Sequence, residues 1–258
     1  MLRRPHPPPQ TFVEWATTEA VEEGADAEFR VPGAALALAL VFKYGGRDVL
    51  LPLADRVLAA AVHLASSPRA ARSVLVRKLV VRVAARVGLA YLPPRVAAWR
   101  YQRGSRSLLQ NLQAPSGAAA VTSAGGGVGD NANDAGVAAA AAAAEMDREL
   151  TEPLLDHVES VVEQLLLGLR DKDTVVRWAA AKGVGRVTMR LPKSLADDVV
   201  HAVLQLFNPV EGDGAWHGGC LAVAELARRG LLLPKRLFQV CITVVVKHGT
   251  HVPLFENT

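Results

Sequence analysis

Between Ala114 and Ala144 the chain carries no Leu, Ile, Phe, Met, Trp or Tyr. It has instead Gly125-Gly126-Gly127, Gly129, Asn131, Asn133 and an unbroken run of alanine from Ala138 to Ala144. A stretch so poor in bulky apolar side chains cannot offset the entropy of ordering itself around a core. Any core must be built by the residues on either side. The sequence therefore reads as a Pro-rich disordered tail over 1–10, a helical block over 11–112, a low-complexity Ala/Gly linker over 113–147, a second helical block over 148–247 and a ragged tail over 248–258.

The class of the two blocks follows from what they are made of. Half of the 258 residues are hydrophobic, 43 residues are alanine, and 5% are aromatic. Alanine and leucine lead the helix propensity scale, whereas a β-sandwich needs β-branched and aromatic residues between frequent turns. The expectation is all-α. Two cysteines, Cys220 and Cys241, exclude a disulfide-dense scaffold and a four-thiolate zinc site, and read as reduced thiols. The longest apolar run, Val31 to Phe42, is well short of the ~20 residues a bilayer requires. Behind Arg3 and Arg4 stand prolines rather than an apolar segment, which argues against a secretory signal.

Apolar periodicity places helices over about 11–23, 33–44, 49–65, 69–87 and 94–111 in the first block. In the second block it places them over 152–169, 174–189, 195–207, 216–229 and 234–246. In the helix at 69–87 the apolar stripe is Ala71, Val74, Leu75, Leu79, Val83 and Val87. Helices of this size with short joints suggest stacked pairs. The strongest local signal is the run Asp171-Lys172-Asp173-Thr174-Val175-Val176-Arg177-Trp178 with Ala179, Ala180 and Gly183. It matches a HEAT-type repeat: aspartate, two residues, then Val-Arg and small residues. Asp171 and Asp173 are placed to accept from open N–H groups at the helix start. Val176 faces the paired helix, Ala180 and Gly183 let the axes approach, and Arg177 reaches back towards an aspartate. The plainer alternative is one capped helix in an ordinary bundle.

Reactive chemistry finds little support. Trp216-His217-Gly218-Gly219-Cys220 sets a histidine and a cysteine three apart, but no third group completes a nucleophilic site, and Gly218 and Gly219 read as close-packing positions. Gly125 to Asp130 is glycine-rich without the Lys-Ser/Thr and preceding strand of a phosphate loop. His248 and His251 alone make no zinc site. No catalytic residue, metal ligand or cofactor is expected, and Asp197-Asp198 read as a solvated first turn.

Charge is more informative. The net charge is +4, yet no Asp or Glu occurs from Arg56 to Gly129, a window with eleven basic residues. Lys78, Arg82 and Arg86 recur every four residues and so share one helix face; Arg100, Arg103 and Arg106 follow beside Trp99 and Tyr101. This stripe is read as a partner-binding surface for an acidic protein, with a solvated face and nucleic acid as the alternatives.

Several long motifs resemble the tubulin-folding cofactor D family. They are Leu79 to Leu89, then Pro94 to Gly104 with Ser107-Leu108; Asp171 to Trp178 with Ala180 to Gly183; Leu195 to Val200; and, most closely, Ala215 to Ala222 with Ala224-Glu225-Leu226 and Arg228 to Pro234. Phe12 to Trp15 is a weaker echo. The resemblance spans about residues 74–112 and 154–246. It implies an armadillo/HEAT-type α-solenoid of paired antiparallel helices that captures β-tubulin after chaperonin release. It further implies work with cofactors E and C and an Arf-like small GTPase to assemble the α/β heterodimer, a contribution to GTPase activation on tubulin, and a cytoplasmic, cytoskeleton-associated location. It implies no enzyme activity of the chain's own, no nucleic acid and no membrane. Members of the family are several times longer, so the chain reads as a central fragment or a truncated gene model. From Lys247 on, and through the Ala/Gly linker, the pattern departs from the family. A generic HEAT adaptor for another acidic protein, or a nucleic-acid-binding helical repeat, remain the alternatives.

Overall fold

The computed structural model describes residues 9–22, 27–94 and 150–232. Pro9 and Gln10, expected in the N-terminal tail, instead open the first helix. The tail up to residue 8, the helix expected at 94–111 beyond Pro94, the linker, the expected helix at 234–246 and the C-terminal tail lie outside the described residues. All regular structure within them is helical: α1 (Pro9–Ala20), α2 (Ala27–Tyr44), the short α3 (Arg47–Leu50) with a 3-10 turn Leu51–Leu53, α4 (Ala54–Ala65), the short α5 (Pro68–Arg72), α6 (Val74–Tyr91), α7 (Glu152–Leu169), α8 (Thr174–Thr188), α9 (Lys193–Gln205) and α10 (Asp213–Arg228).

These helices form antiparallel pairs, α1 with α2, α4 with α6, α7 with α8 and α9 with α10, and the pairs stack in sequence order. The first members line up as one layer, α1–α4–α7–α9, and the second members as another, α2–α6–α8–α10. This is an α-solenoid of the armadillo/HEAT type. The described residues before and after the linker belong to one compact unit, with α6 packed directly on α7 and α8.

The second layer is the tighter one, because small residues stand where its helices meet. A Cβ on Gly183 of α8 would lie 2.7 Å from Leu165 Cδ2 and 3.1 Å from Ala85 Cβ, at the meeting of α6, α7 and α8. Val176, Ala180, Gly183 and Val184 are all buried there. Gly183→Leu is therefore expected to overpack this junction and cost about 1–3 kcal/mol. Thermal unfolding of the variant checks it; an unchanged melting temperature would place Gly183 away from a helix crossing.

Three helix assignments differ from the periodicity. The helix expected over 69–87 is broken at Ser73, whose extended backbone starts α6 and whose Oγ accepts the Val76 N–H at 3.4 Å. This break turns the face: Val76, Leu79, Val80, Val81 and Val83 are buried, whereas Ala71, Val74 and Leu75 are exposed. Sandwiched between α2, α4, α7 and α8, α6 buries most of its circumference rather than one stripe. The helix expected from Gly33 begins at Ala27 and runs through Pro32, because Ala27 and Val31 are needed in the core. The helix expected from Val49 is interrupted by a 3-10 turn at Pro52. By contrast α7 runs over the expected 152–169, and α10 ends as expected before Gly230, whose φ of +71° suits a residue without a Cβ.

Candidate partner-binding surface

Arginine holds the repeat pairs to one another. Arg77 of α6 reaches across to the loop before α8, where its Nε donates to Asp171 Oδ2 at 2.7 Å and its Nη2 to Asp173. Its Nη1 also donates to the Ala70 carbonyl at 2.8 Å. The two aspartates therefore serve a neighbouring repeat. Asp173 makes no capping bond with its side chain, and Asp171 Oδ1 accepts only the Asp173 N–H, at 2.8 Å. This corrects the expected capping role. Arg177, unlike Arg77, reaches no carboxylate among the described residues. Buried at 8% exposure, it donates to the carbonyls of Asp171 (2.7 Å) and Lys172 (2.9 Å), to Thr174 Oγ1 (2.8 Å) and, through Nε, to His217 Nδ1 of α10 at 3.1 Å.

His217 thus spends a ring nitrogen accepting from Arg177, and Cys220 is exposed. Gly218 and Gly219 lie against the Leu169 backbone and the Phe207 ring. Trp216, half-buried, donates from Nε1 to the Asn208 carbonyl at 3.2 Å and meets Phe207 edge-on. Nearby, Glu225 is buried; burial alone would raise its pKa, but hydrogen bonds from Arg228 and Arg229 prevail and hold it below the usual carboxylate value. Among the described residues no three His, Cys, Asp or Glu side chains gather as a metal site.

The exposed side of the second layer is where the charge stripe lies. α6 and α8 together carry Arg77, Lys78, Arg82, Arg86, Arg177, Lys182 and Arg186 and not one acidic residue. Arg77 and Arg177 turn inwards as described. Arg82 is exposed and Lys78 and Arg86 are half-buried. On α8, Trp178 is exposed with the Lys182 Nζ lying 4.8 Å from its ring centroid, and Arg186 stands close enough to act on Arg86. Burial first, then the like charges of Arg186 and Arg82, press the Arg86 guanidinium below its ordinary pKa. None of Lys78, Arg82, Arg86, Lys182 and Arg186 has a carboxylate partner among the described residues. Arg100, Arg103 and Arg106 lie outside the described residues.

The sequence reading missed the continuation of the stripe onto α8. A register would have revealed it: Ser73, Arg77, Lys78, Arg82 and Arg86 are matched by Asp173, Arg177, Trp178, Lys182 and Arg186, each one hundred positions on. Adjacent repeats set side by side bring the matching positions level, so two stripes become one surface. In the first layer α7 is the reverse, with Glu152, Asp156, Glu159 and Glu163 and no Lys or Arg.

Comparison with known proteins agrees with this architecture. Residues 75–249 match the family described as "Tubulin-specific chaperone D-like, ARM repeats". A protein of Dictyostelium discoideum called tubulin-specific chaperone D is 34% identical over 219 residues, covering 81% of this chain and 14% of its own length. A protein of Schizosaccharomyces pombe called tubulin-folding cofactor D is 34% identical over 116 residues, covering 37% of this chain and 10% of its own length. The chain thus spans a small part of the curated relatives it matches.

Proposed function

Because the chain belongs to the tubulin-specific chaperone D-like armadillo-repeat family, we propose that it forms part of a cytoplasmic scaffold that holds β-tubulin during assembly of the α/β heterodimer. In this reading it performs no chemistry of its own. It works beside tubulin-folding cofactors E and C and an Arf-like small GTPase, and contributes to GTPase activation on tubulin by presenting the client.

The observation that supports the client-binding role is the carboxylate-free surface of α6 and α8. A patch of one charge sign attracts an oppositely charged partner over a Debye length of roughly 8 Å at physiological salt and raises its encounter rate. The exposed Trp178 beside Lys182 adds a rigid amphipathic anchor of the kind enriched in binding hot spots. Stacked repeats suit a large client because they offer an extended surface rather than a pocket.

The test is stopped-flow association of native tubulin with the 258-residue chain and with the triple variant Lys78→Glu, Arg82→Glu, Lys182→Glu. At low salt the variant is expected to associate at least roughly tenfold more slowly, with a flatter salt dependence. Equal rates for a variant of unchanged melting temperature would reduce the surface to a solvated face. Salt-dependent binding of duplex or single-stranded nucleic acid in preference to tubulin would favour the nucleic-acid reading instead.

A further inference from the structure

The first layer carries a groove of different character. Between α7 and α9 lies a cavity of about 480 Å³, walled by Leu155, Val162, Leu166 and Leu167 of one helix and Leu195 and Val199 of the other. Leu167 is 54% exposed, a large apolar side chain left uncovered towards the C-terminal end of the α7 wall. Glu159, Glu163 and Asp198 form the rim. All three are exposed, and none has a cationic partner among the described residues. The rim's cation, Arg170, is already engaged, donating from Nε (3.0 Å) and Nη2 (2.8 Å) to Glu211 Oε1.

We propose that this groove docks a basic amphipathic helix of a partner protein. Its apolar stripe lies on Leu155, Leu166, Leu167 and Leu195, and its flanking Lys or Arg residues face Glu159, Glu163 and Asp198. The apolar walls call for an apolar stripe, and the three unpaired carboxylates call for cations beside it. The walls are two helices whose backbone groups are used within their own turns, so they offer no sheet edge on which an extended peptide could add. A peptide laid flat there would bury N–H and C=O groups without partners, whereas a helix arrives with its own satisfied. The groove lies on the other layer from the basic α6/α8 surface and has the opposite sign, so this proposal does not depend on the client-binding role.

The experiment uses fluorescein-labelled helical peptides as long as α7, 18 residues, with one leucine stripe and either Lys or Glu flanks, titrated with the 258-residue chain and followed by anisotropy. The Lys-flanked peptide is expected to bind saturably and the Glu-flanked one roughly tenfold or more weakly. The double variant Glu159→Lys, Glu163→Lys should lose a similar factor for the Lys-flanked peptide, and Leu167→Asp should weaken it as well. Lys78→Glu, Arg82→Glu, Lys182→Glu, which alters the other layer, should leave binding unimpaired. Melting temperatures within a degree or so of the parent show that the surface variants fold. The proposal is overturned by equal affinity for both peptides, by indifference to the Glu159/Glu163 reversal, or by no saturable binding. Self-association of the chain that Leu167→Asp abolishes would overturn it too, since the occupant would then be a second copy.

Discussion

Gly218→Ala is expected to be among the most damaging one-carbon changes available in this chain. A Cβ at that position of α10 would sit 2.0 Å from the carbonyl oxygen of Leu169 and 2.9 Å from its carbon, at the end of α7. Both obstacles are backbone, so no rotamer change relieves the clash; α7 and α10 must separate. Leu169 is fully buried, and any separation loosens the contacts around it. Overpacking of this kind costs typically 1–3 kcal/mol, and with backbone as the obstacle the upper end, about 3 kcal/mol, is expected. For a folded unit of this size that lowers the melting temperature by roughly 6–12 °C. Gly33→Ala is the control. It makes the same substitution inside α2, where nothing lies within 4 Å of the new methyl, and should be neutral or stabilising by up to about 1 kcal/mol. Equal melting temperatures for the two variants would mean that α7 and α10 do not meet at Gly218.

Arg77→Ala is the second. The guanidinium spans from the Ala70 carbonyl in α5, inside its own repeat, to Asp171 and Asp173 just before α8 in the next. Arg77 and Asp171 keep only 15% and 11% side-chain exposure, so the pair is largely desolvated. Removing one partner of such a pair strands the other charge, at a cost of about 3 kcal/mol, the low end for buried pairs because Asp173 still meets solvent. The signature that separates stranding from lost packing is a cycle with Asp171→Asn and Asp173→Asn. In that background Arg77→Ala should cost distinctly less. If it costs the same, the arginine acts only through its aliphatic stem.

Arg77 also shows where sequence reading stops. As one of eleven cations in an acid-free window it is conspicuous, but its partners lie 94 and 96 residues further on. Its role is invisible until α6 and α8 are set side by side. The same applies to the charged surface. The spacing of Lys78, Arg82 and Arg86 is enough to place them on one face of one helix. Joining Lys182 and Arg186 to them requires knowing that two helices separated by the whole linker are lateral neighbours. Repeat architecture supplies that knowledge, and the shared register of the two helices was the available signal. The described helices of the second block are legible because each is bounded by turn residues. α6 is not, because a helix buried on most sides has no clean stripe, and Ser73 reads as an interior residue although its hydroxyl starts a new helix. The contact of Tyr91 with Asp55 at 2.5 Å, and its stacking on His157, have no sequence signature at all.

At its C-terminal end α6 is gripped from two sides. Arg47 of α3 donates to the carbonyls of Ala90 (2.7 Å) and Tyr91 (3.0 Å), and Arg190 after α8 donates to those of Leu89 (2.7 Å) and Leu92 (3.1 Å). The end of the helix is thus held by its neighbours as well as closed by the Pro93-Pro94 pair that follows it. Beyond Pro94 the sequence runs to residue 149 before it rejoins the described structure at Leu150. Both points where the described structure breaks off and resumes are set by packing within the helices: Leu92 is fully buried and Leu150 packs against the core. A change in the number of residues between those two points would leave the hydrogen bonds of Arg47 and Arg190 in place, since none of their partners lies beyond Leu92.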